Sequence, residues 1–194
     1  WVCKVWGSTI FRLMGIEVIG PKKIPQLNPP FIVMANHESL LDPPLMTWRF
    51  PNPIRFVAKK SLWYVPFLGQ SLYLMGHIAI DRKNRKRAIE SLKKAAEKIR
   101  SGTNVIIFPE GTRTPDFNAP LLPFKKGGFM LAIEAGVPII PVGIAGTANC
   151  MKKGSCRILR GRVSYLIGDP ISTKEFTVET RDQLMKKVHD EIEK

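Results

Sequence analysis

Residues 36–43, Asn-His-Glu-Ser-Leu-Leu-Asp-Pro, hold one of the three histidines of the chain, with a carboxylate five positions further on. That spacing, just after an apolar run, has two readings. In one, Ser39 is the N-cap of a helix and Asp42 the first-turn acid of a capping-box variant, with His37 an incidental loop residue. Pro43 in the first turn is compatible with this. In the other, Asp42 reaches back to one imidazole nitrogen, fixes the tautomer, and leaves the other nitrogen to take a proton. A carboxylate can serve both ends, so the octapeptide alone does not decide.

Three more stretches carry chemistry or mark its setting. Residues 106–114 (IIFPEGTRT) run an apolar strand into a turn with exposed backbone N–H groups and Arg113. Such a loop can hold a phosphate, and it can equally be a plain surface turn. Residues 76–82 (GHIAIDR) end a strand in charge, with Arg82 opening a basic run that also suits a solvated helix face. Residues 137–144 (VPIIPVGI) are an apolar strand holding two prolines. There is no G-x-S-x-G elbow, since Ser71 in GQSLY lacks the second glycine, so no acyl-serine chemistry is indicated.

The elements that must position these residues follow from periodicity. Residues 16–20, 31–35, 54–58, 77–80, 104–108 and 138–144 are short apolar runs bounded by turn residues, which predicts strands. Residues 40–49, 61–74, 83–101 and 125–135 predict helices between them. The third is the clearest, with Ala88, Leu92, Ala95, Ala96 and Ile99 on one face and Gly102 as the stop. Residues 156–167 predict one or two later strands turning at Gly161, and 178–194 a closing amphipathic helix. Near-continuous apolar strands alternating with helices imply an α/β fold: a single domain over 1–194 with a largely parallel sheet flanked by helices.

Thirty Lys plus Arg against 16 Asp plus Glu leave a formal charge of +14, which favours an anionic partner: nucleic acid, an acidic membrane or a phosphorylated ligand. A hydrophobic content of 44% argues against gross disorder. Cys3, Cys150 and Cys156 have neither C-x-x-C spacing nor nearby histidines, so they read as reduced, mostly packed thiols in a cytosolic compartment. No window reaches the roughly 18 uncharged apolar residues of a membrane span. Trp1 opens the chain, so a preceding segment, an anchor among the options, is expected. Residues 1–14, with Trp1, Trp6, Lys4 and Arg12, suit either a membrane-interface helix or a terminal helix packed on the core. Residues 61–76, with Trp63, Tyr64, Phe67 and Tyr73, suit a lipid contact or an ordinary core segment.

Taken in order and spacing, the four stretches resemble the four blocks of the glycerolipid acyltransferase family, in particular its bacterial-type 1-acyl-sn-glycerol-3-phosphate (lysophosphatidic acid) acyltransferase branch. N-H-x-S-x-x-D is matched by Asn36, His37, Ser39 and Asp42; G-x-I-x-I-D-R by Gly76, Ile78, Ile80, Asp81 and Arg82. F-P-E-G-T-R-S is matched from Phe108 to Arg113, with Thr114 in place of serine, and V-P-I-x-P-V by Val137, Pro138, Ile139, Pro141 and Val142. Residues 123–132 resemble the family's F-K-x-G segment.

The resemblance, over about residues 15–170, implies a definite chemistry. An acyl group passes from acyl-CoA or acyl-carrier protein to the sn-2 hydroxyl of lysophosphatidic acid, giving phosphatidic acid. It implies His37 as general base and Asp42 as its orienting acid, with no acyl-enzyme. It further implies an acceptor site shaped by Glu110, Gly111, Thr112 and Arg113, with Arg82 nearby and Lys125 or Lys126 on the phosphate. No metal and no cofactor beyond the thioester co-substrate is implied. The expected setting is an anionic membrane surface on the cytoplasmic side, reached peripherally or through a preceding anchor. Glycerol-3-phosphate or another lysolipid is the alternative acceptor. A nucleic-acid-binding module is the rival from charge alone, but it leaves the His–Asp block unexplained, so no nucleic acid is expected as a partner.

Overall fold

The computed structural model describes residues 2–21, 30–50, 53–81, 85–114 and 120–194. Seven strands form one sheet: β1 (Ile16–Ile19), β2 (Ile32–Ala35), β3 (Ile54–Lys59), β4 (Ile78–Ile80), β5 (Asn104–Ile107), β6 (Ile139–Ala145) and β7 (Gly161–Ile167), in the order β1-β7-β6-β2-β5-β3-β4. β6, β2, β5, β3 and β4 run parallel. β7 pairs antiparallel with β6, and β1 runs parallel with β7. The two strands at the centre, β2 and β5, are buried at every residue, which is why they carry apolar side chains on both faces rather than alternating.

β6 keeps Pro141 inside the sheet because of where its edge points. The Pro141 carbonyl accepts from the Gly168 N–H at 2.9 Å, so the residue faces β7, and its missing N–H falls just past the end of that strand at Ile167. No bond to β2 is lost there.

Helices cover both faces. α4 (Arg85–Arg100), α5 (Lys126–Ala135) and α7 (Arg181–Glu193) pack on one, through Ile99, Phe129, Leu131, Leu184 and Val188. α1 (Val2–Leu13) and α2 (Asp42–Arg49) pack on the other, through Phe11, Leu45, Met46 and Phe50. Their close approach depends on Gly7, where a Cβ would come within 2.5 Å of the Pro44 carbonyl oxygen. The opposite side of α1 leaves Val5, Trp6 and Leu13 exposed, so the helix is at once packed and partly apolar towards solvent.

One expectation is overturned, and the structure adds detail to others. Residues 61–74 are not one helix. A 3-10 turn (Lys60–Tyr64) is broken by Pro66, and α3 (Leu68–Leu74) starts after Phe67, which sits at φ +63, the one positive φ outside glycine among the described residues. Of the one or two strands expected over 156–167, there is one, β7, which begins at Gly161. A four-residue helix, α6 (Thr147–Cys150), follows β6, too short to leave any periodicity in the sequence. Of the cysteines, Cys150 is buried as expected, but Cys156 is exposed.

Candidate active site

β2, β5 and β6 are neighbours and parallel, so their C-terminal ends share one rim, where an α/β sheet places its ligands. The loops leaving that rim contain residues 36–41, 108–114 and 146–147. Asn36 begins the first by extending the sheet with its side chain. Its amide donates to the Ile144 carbonyl and accepts from the Ile144 N–H, both at 2.7 Å, so the backbone can turn away from β6 without leaving those groups bare.

The turn delivers His37, whose backbone is held by the loop after β5. The His37 N–H donates to Glu110 Oε1 at 2.7 Å, and the His37 carbonyl accepts from the Thr114 N–H at 2.7 Å. Glu110 Oε2 also lies 3.2 Å from the Thr114 hydroxyl and accepts from the Leu122 N–H at 3.3 Å. Buried at 1% exposure, Glu110 faces the scaffold, not an open acceptor site. Burial pushes its carboxyl pKa up, opposed by the His37 and Leu122 N–H groups and the Thr114 hydroxyl. Glu110 thus holds the backbone of His37 in place.

His37 Nδ1 lies 2.7 Å from Asp42 Oδ2. The same oxygen accepts from the Glu38 and Ser39 N–H groups, each at 2.8 Å, and Oδ1 accepts from the Thr147 hydroxyl at 2.5 Å. Asp42 is fully buried, whereas the His37 side chain keeps 17% of its surface open. The imidazole stacks on Phe108, ring centroids 4.1 Å apart at 19°. With three backbone and side-chain donors on Asp42 Oδ2, the carboxylate accepts from Nδ1–H, which leaves a lone pair on Nε2. Nε2 makes no hydrogen bond to the described residues.

The capping-box expectation is half realised. Asp42 does reach back to the Ser39 N–H, but α2 has Leu41 as its N-cap, and the Ser39 hydroxyl donates to the Met151 carbonyl at 2.8 Å instead of capping the helix.

The remaining residues of the third block sit beside the pair. Gly111 has φ +68, and a Cβ there would lie 2.9 Å from the Lys125 Nζ, so the Lys125 side chain lies over the turn. The Lys125 N–H donates to the Pro109 carbonyl at 2.8 Å. Thr112 is exposed and Arg113 half-buried, and Lys153 ties them by donating to the Arg113 carbonyl at 2.8 Å and the Thr112 hydroxyl at 3.3 Å. Arg82 lies outside the described residues.

Behind Phe108 a cavity of about 220 Å³ is lined mainly by apolar groups, among them Val57, Ile80, Leu92, Ile107 and Leu131, with Gly111 and Lys125 also on its wall. Ile80 is shared with a smaller, polar cleft that holds Lys59, Lys60 and Arg87. The sequence reading did not single out Lys59, Lys60, Thr147 or Lys153. Thr147 carries no motif, and only the fold brings it 105 positions back to Asp42.

A family model described as Acyltransferase matches residues 15–145, which contain every block placed on this rim. The chain belongs to the acyltransferase family. Among its relatives in that family, it is 36% identical to the 1-acyl-sn-glycerol-3-phosphate acyltransferase of Saccharomyces cerevisiae, over 99% of this chain and 64% of the relative. It is 35% identical to the enzyme of that name from Haemophilus influenzae, over 97% of this chain and 78% of the relative. The crystal structure of the 1-acyl-sn-glycerophosphate acyltransferase of Thermotoga maritima is similar throughout: TM-score 0.84, 32% identity, covering 99% of this chain and 76% of that one. The chain thus spans under two thirds of the yeast relative, and 56% of the Limnanthes alba relative, at 39% identity. Fold and family agree with the resemblance carried by the four blocks.

Proposed function

We propose that the protein transfers an acyl group from a thioester, acyl-CoA or acyl-carrier protein, to the sn-2 hydroxyl of lysophosphatidic acid. The observation that carries this is the His37–Asp42 pair on the rim of an acyltransferase-family sheet, one imidazole nitrogen fixed by a buried carboxylate and the other without a partner among the described residues. His37 Nε2 takes the hydroxyl proton as the acceptor oxygen attacks the thioester carbonyl, and it returns that proton to the leaving sulfur. Asp42 holds the tautomer and stabilises the imidazolium, the role an acid plays beside the histidine of a serine triad. Because the acceptor oxygen attacks directly, no acyl-enzyme forms. General-base help of this kind is worth ~10²–10⁴-fold.

The acceptor phosphate is assigned to Arg113, Thr112 and Lys125 around the Gly111 turn, with Arg82 contributing from outside the described residues. Lysine acts there as a compact point charge and arginine as a bidentate donor. Lys59 and Lys60, in the polar cleft next to the apolar cavity, are further cations for a phosphorylated substrate. The apolar cavity is the space for an acyl chain. No metal or cofactor enters this mechanism.

The surface favours a bilayer. Residues 62–75 expose Tyr64 (76%), Phe67 (89%), Tyr73 (76%) and Leu74 (82%) beside Lys59 and Lys60, and α1 adds Trp6. Aromatic side chains sit well at a membrane interface, and each basic residue near an anionic leaflet adds ~1 kcal/mol. Among the described residues no helix is long and apolar enough to cross a membrane. We propose that the protein works at an anionic membrane surface, on the cytoplasmic side that the family resemblance implies.

The test is thiol release from palmitoyl-CoA and from palmitoyl-carrier protein in mixed micelles, with lysophosphatidic acid, glycerol-3-phosphate and other lysolipids as acceptors. Release that depends on lysophosphatidic acid, with phosphatidic acid formed one for one, supports the reading. Faster turnover with glycerol-3-phosphate would reassign the acceptor. Thiol release independent of any acceptor would indicate a thioesterase or an acyl-enzyme.

A further inference from the structure

Glu38 is a buried acid, 8% exposed, with no part in the reaction just described. Its surroundings are short of a proton. Thr147 Oγ1 lies 2.5 Å from Asp42 Oδ1 and 3.2 Å from Glu38 Oε2, and a hydroxyl can donate to only one of them. Asp42 is the better acceptor, because its other oxygen already accepts from three donors and is the ionised partner of His37. If Glu38 were ionised as well, its contact with Thr147 would join two oxygens with no proton between them. Two buried carboxylates would then face each other across a single hydroxyl, an arrangement that leaves buried charge uncompensated.

A proton on Glu38 resolves both problems. Glu38 donates to Thr147, Thr147 donates to Asp42, and Asp42 accepts from His37 Nδ1–H, so that each contact carries one proton. Among the described residues the other donors towards Glu38 are backbone N–H groups, that of Ala148 at 3.4 Å from Oε2 and that of Thr147. The charged group facing it from α2 is Asp42, with His37 beyond; α6 presents the Thr147 hydroxyl and the Thr147 and Ala148 N–H groups.

We propose that Glu38 is a positioning residue that works as a neutral acid, donating through Thr147 to fix the carboxylate that orients His37. Burial pushes the Glu38 carboxyl pKa up and the charge of Asp42 adds to the rise, while the Ala148 N–H and Thr147 oppose it; the direction is in keeping with the geometry. The role rests on the reading of His37 as the base, but the protonation of Glu38 does not. Because the neutral form is the working one, glutamine replaces glutamate with little loss, its amide donating to Thr147 as the acid does.

The experiment is infrared difference spectroscopy of the full chain near neutral pH, wild type against Glu38→Gln, with kinetics on the same proteins. We expect a carbonyl band of a protonated carboxylic acid that Glu38→Gln removes, whether or not His37 proves to be the base. Glu38→Gln should keep kcat within about threefold and leave the acidic limb of the kcat/KM profile in place. Thr147→Val should lower kcat by about tenfold or more and move that limb to higher pH, since Asp42 loses a donor, while Thr147→Ser should restore both. Glu38→Ala added to Thr147→Val should cost nothing more, because the two residues act through one contact. Absence of the acid band, or a Glu38→Gln variant as slow as Glu38→Ala, would overturn the proposal.

Discussion

Around His37 the polar atoms are held from several sides. Asn36 is clamped to Ile144, the His37 backbone to Glu110 and Thr114, and Asp42 to four donors. At the β3–β4 edge of the same sheet, residues 62–75 turn Tyr64, Phe67, Tyr73 and Leu74 outward, with Phe67 in a positive-φ turn that costs a bulky residue about 1–3 kcal/mol. One region encloses a charge and aims an imidazole; the other presents apolar surface. General-base chemistry needs the first, because a misaimed base loses most of its effect. Contact with a lipid surface needs the second, because it scales with the apolar area offered and tolerates imprecise geometry.

If this division is right, damage to one region should leave the other's function standing. The largest effect expected is from Asp42→Asn, which removes the charge that holds the Nδ1–H tautomer: kcat should fall by ~10²–10⁴-fold while vesicle binding is unchanged. Steady-state kinetics and liposome sedimentation on one preparation check this. A loss of both together would mean that the variant is misfolded or that the division is false.

Acid should act first on the other region. His77, buried just before β4, accepts the Phe56 N–H on Nδ1 at 2.9 Å, and its backbone N–H donates to the Leu72 carbonyl. Burial, then the charges of Arg55 and Lys98, lower its pKa from 6.5 to about 4. The folded protein thus binds fewer protons than the unfolded chain between those values. The stability His77 contributes is whole above pH 6.5 and is lost as the pH falls through about 4, by at most about 3 kcal/mol. Denaturation midpoints across that range should show the decline in the wild type and a shallower one in His77→Gln.

Asn36→Ala comes next. It strips partners from the buried Ile144 N–H and carbonyl and should lower stability by about 2 kcal/mol, with kcat reduced beyond any loss of folded protein. The smallest effect belongs to the surface: Phe67→Ser with Tyr73→Ser should weaken binding to anionic vesicles by about tenfold and leave turnover on a short-chain, soluble donor and acceptor unchanged.

The two regions also differed in how well the sequence announced them. β2, β5 and β6 were legible because strands buried on both faces are apolar without interruption, and α4 because Ala95, Ala96 and Ile99 repeat at helical spacing. The His–Asp pairing was legible through the spacing of its block. What Glu110 does was not: an acid in a turn looks the same whether it faces solvent or, as here, the His37 N–H. Thr147 was invisible for a related reason, since a contact across 105 residues is made by the sheet order rather than by any local pattern. Residues 61–74 read as one continuous helix, yet Pro66 and the turn at Phe67 split it and put Tyr64, Phe67 and Tyr73 outside.

The central claim, that His37 is the base for direct attack by the acceptor hydroxyl, is tested most directly by acceptor-dependent thiol release from palmitoyl-CoA with lysophosphatidic acid, wild type against His37→Ala. Circular dichroism and thermal melting should establish that both are folded. The account predicts a loss of ~10² to 10⁴-fold in the variant, with no acyl-enzyme trapped from either protein in the absence of acceptor. A folded His37→Ala that turns over like the wild type would contradict it and return residues 36–43 to the role of a helix entry.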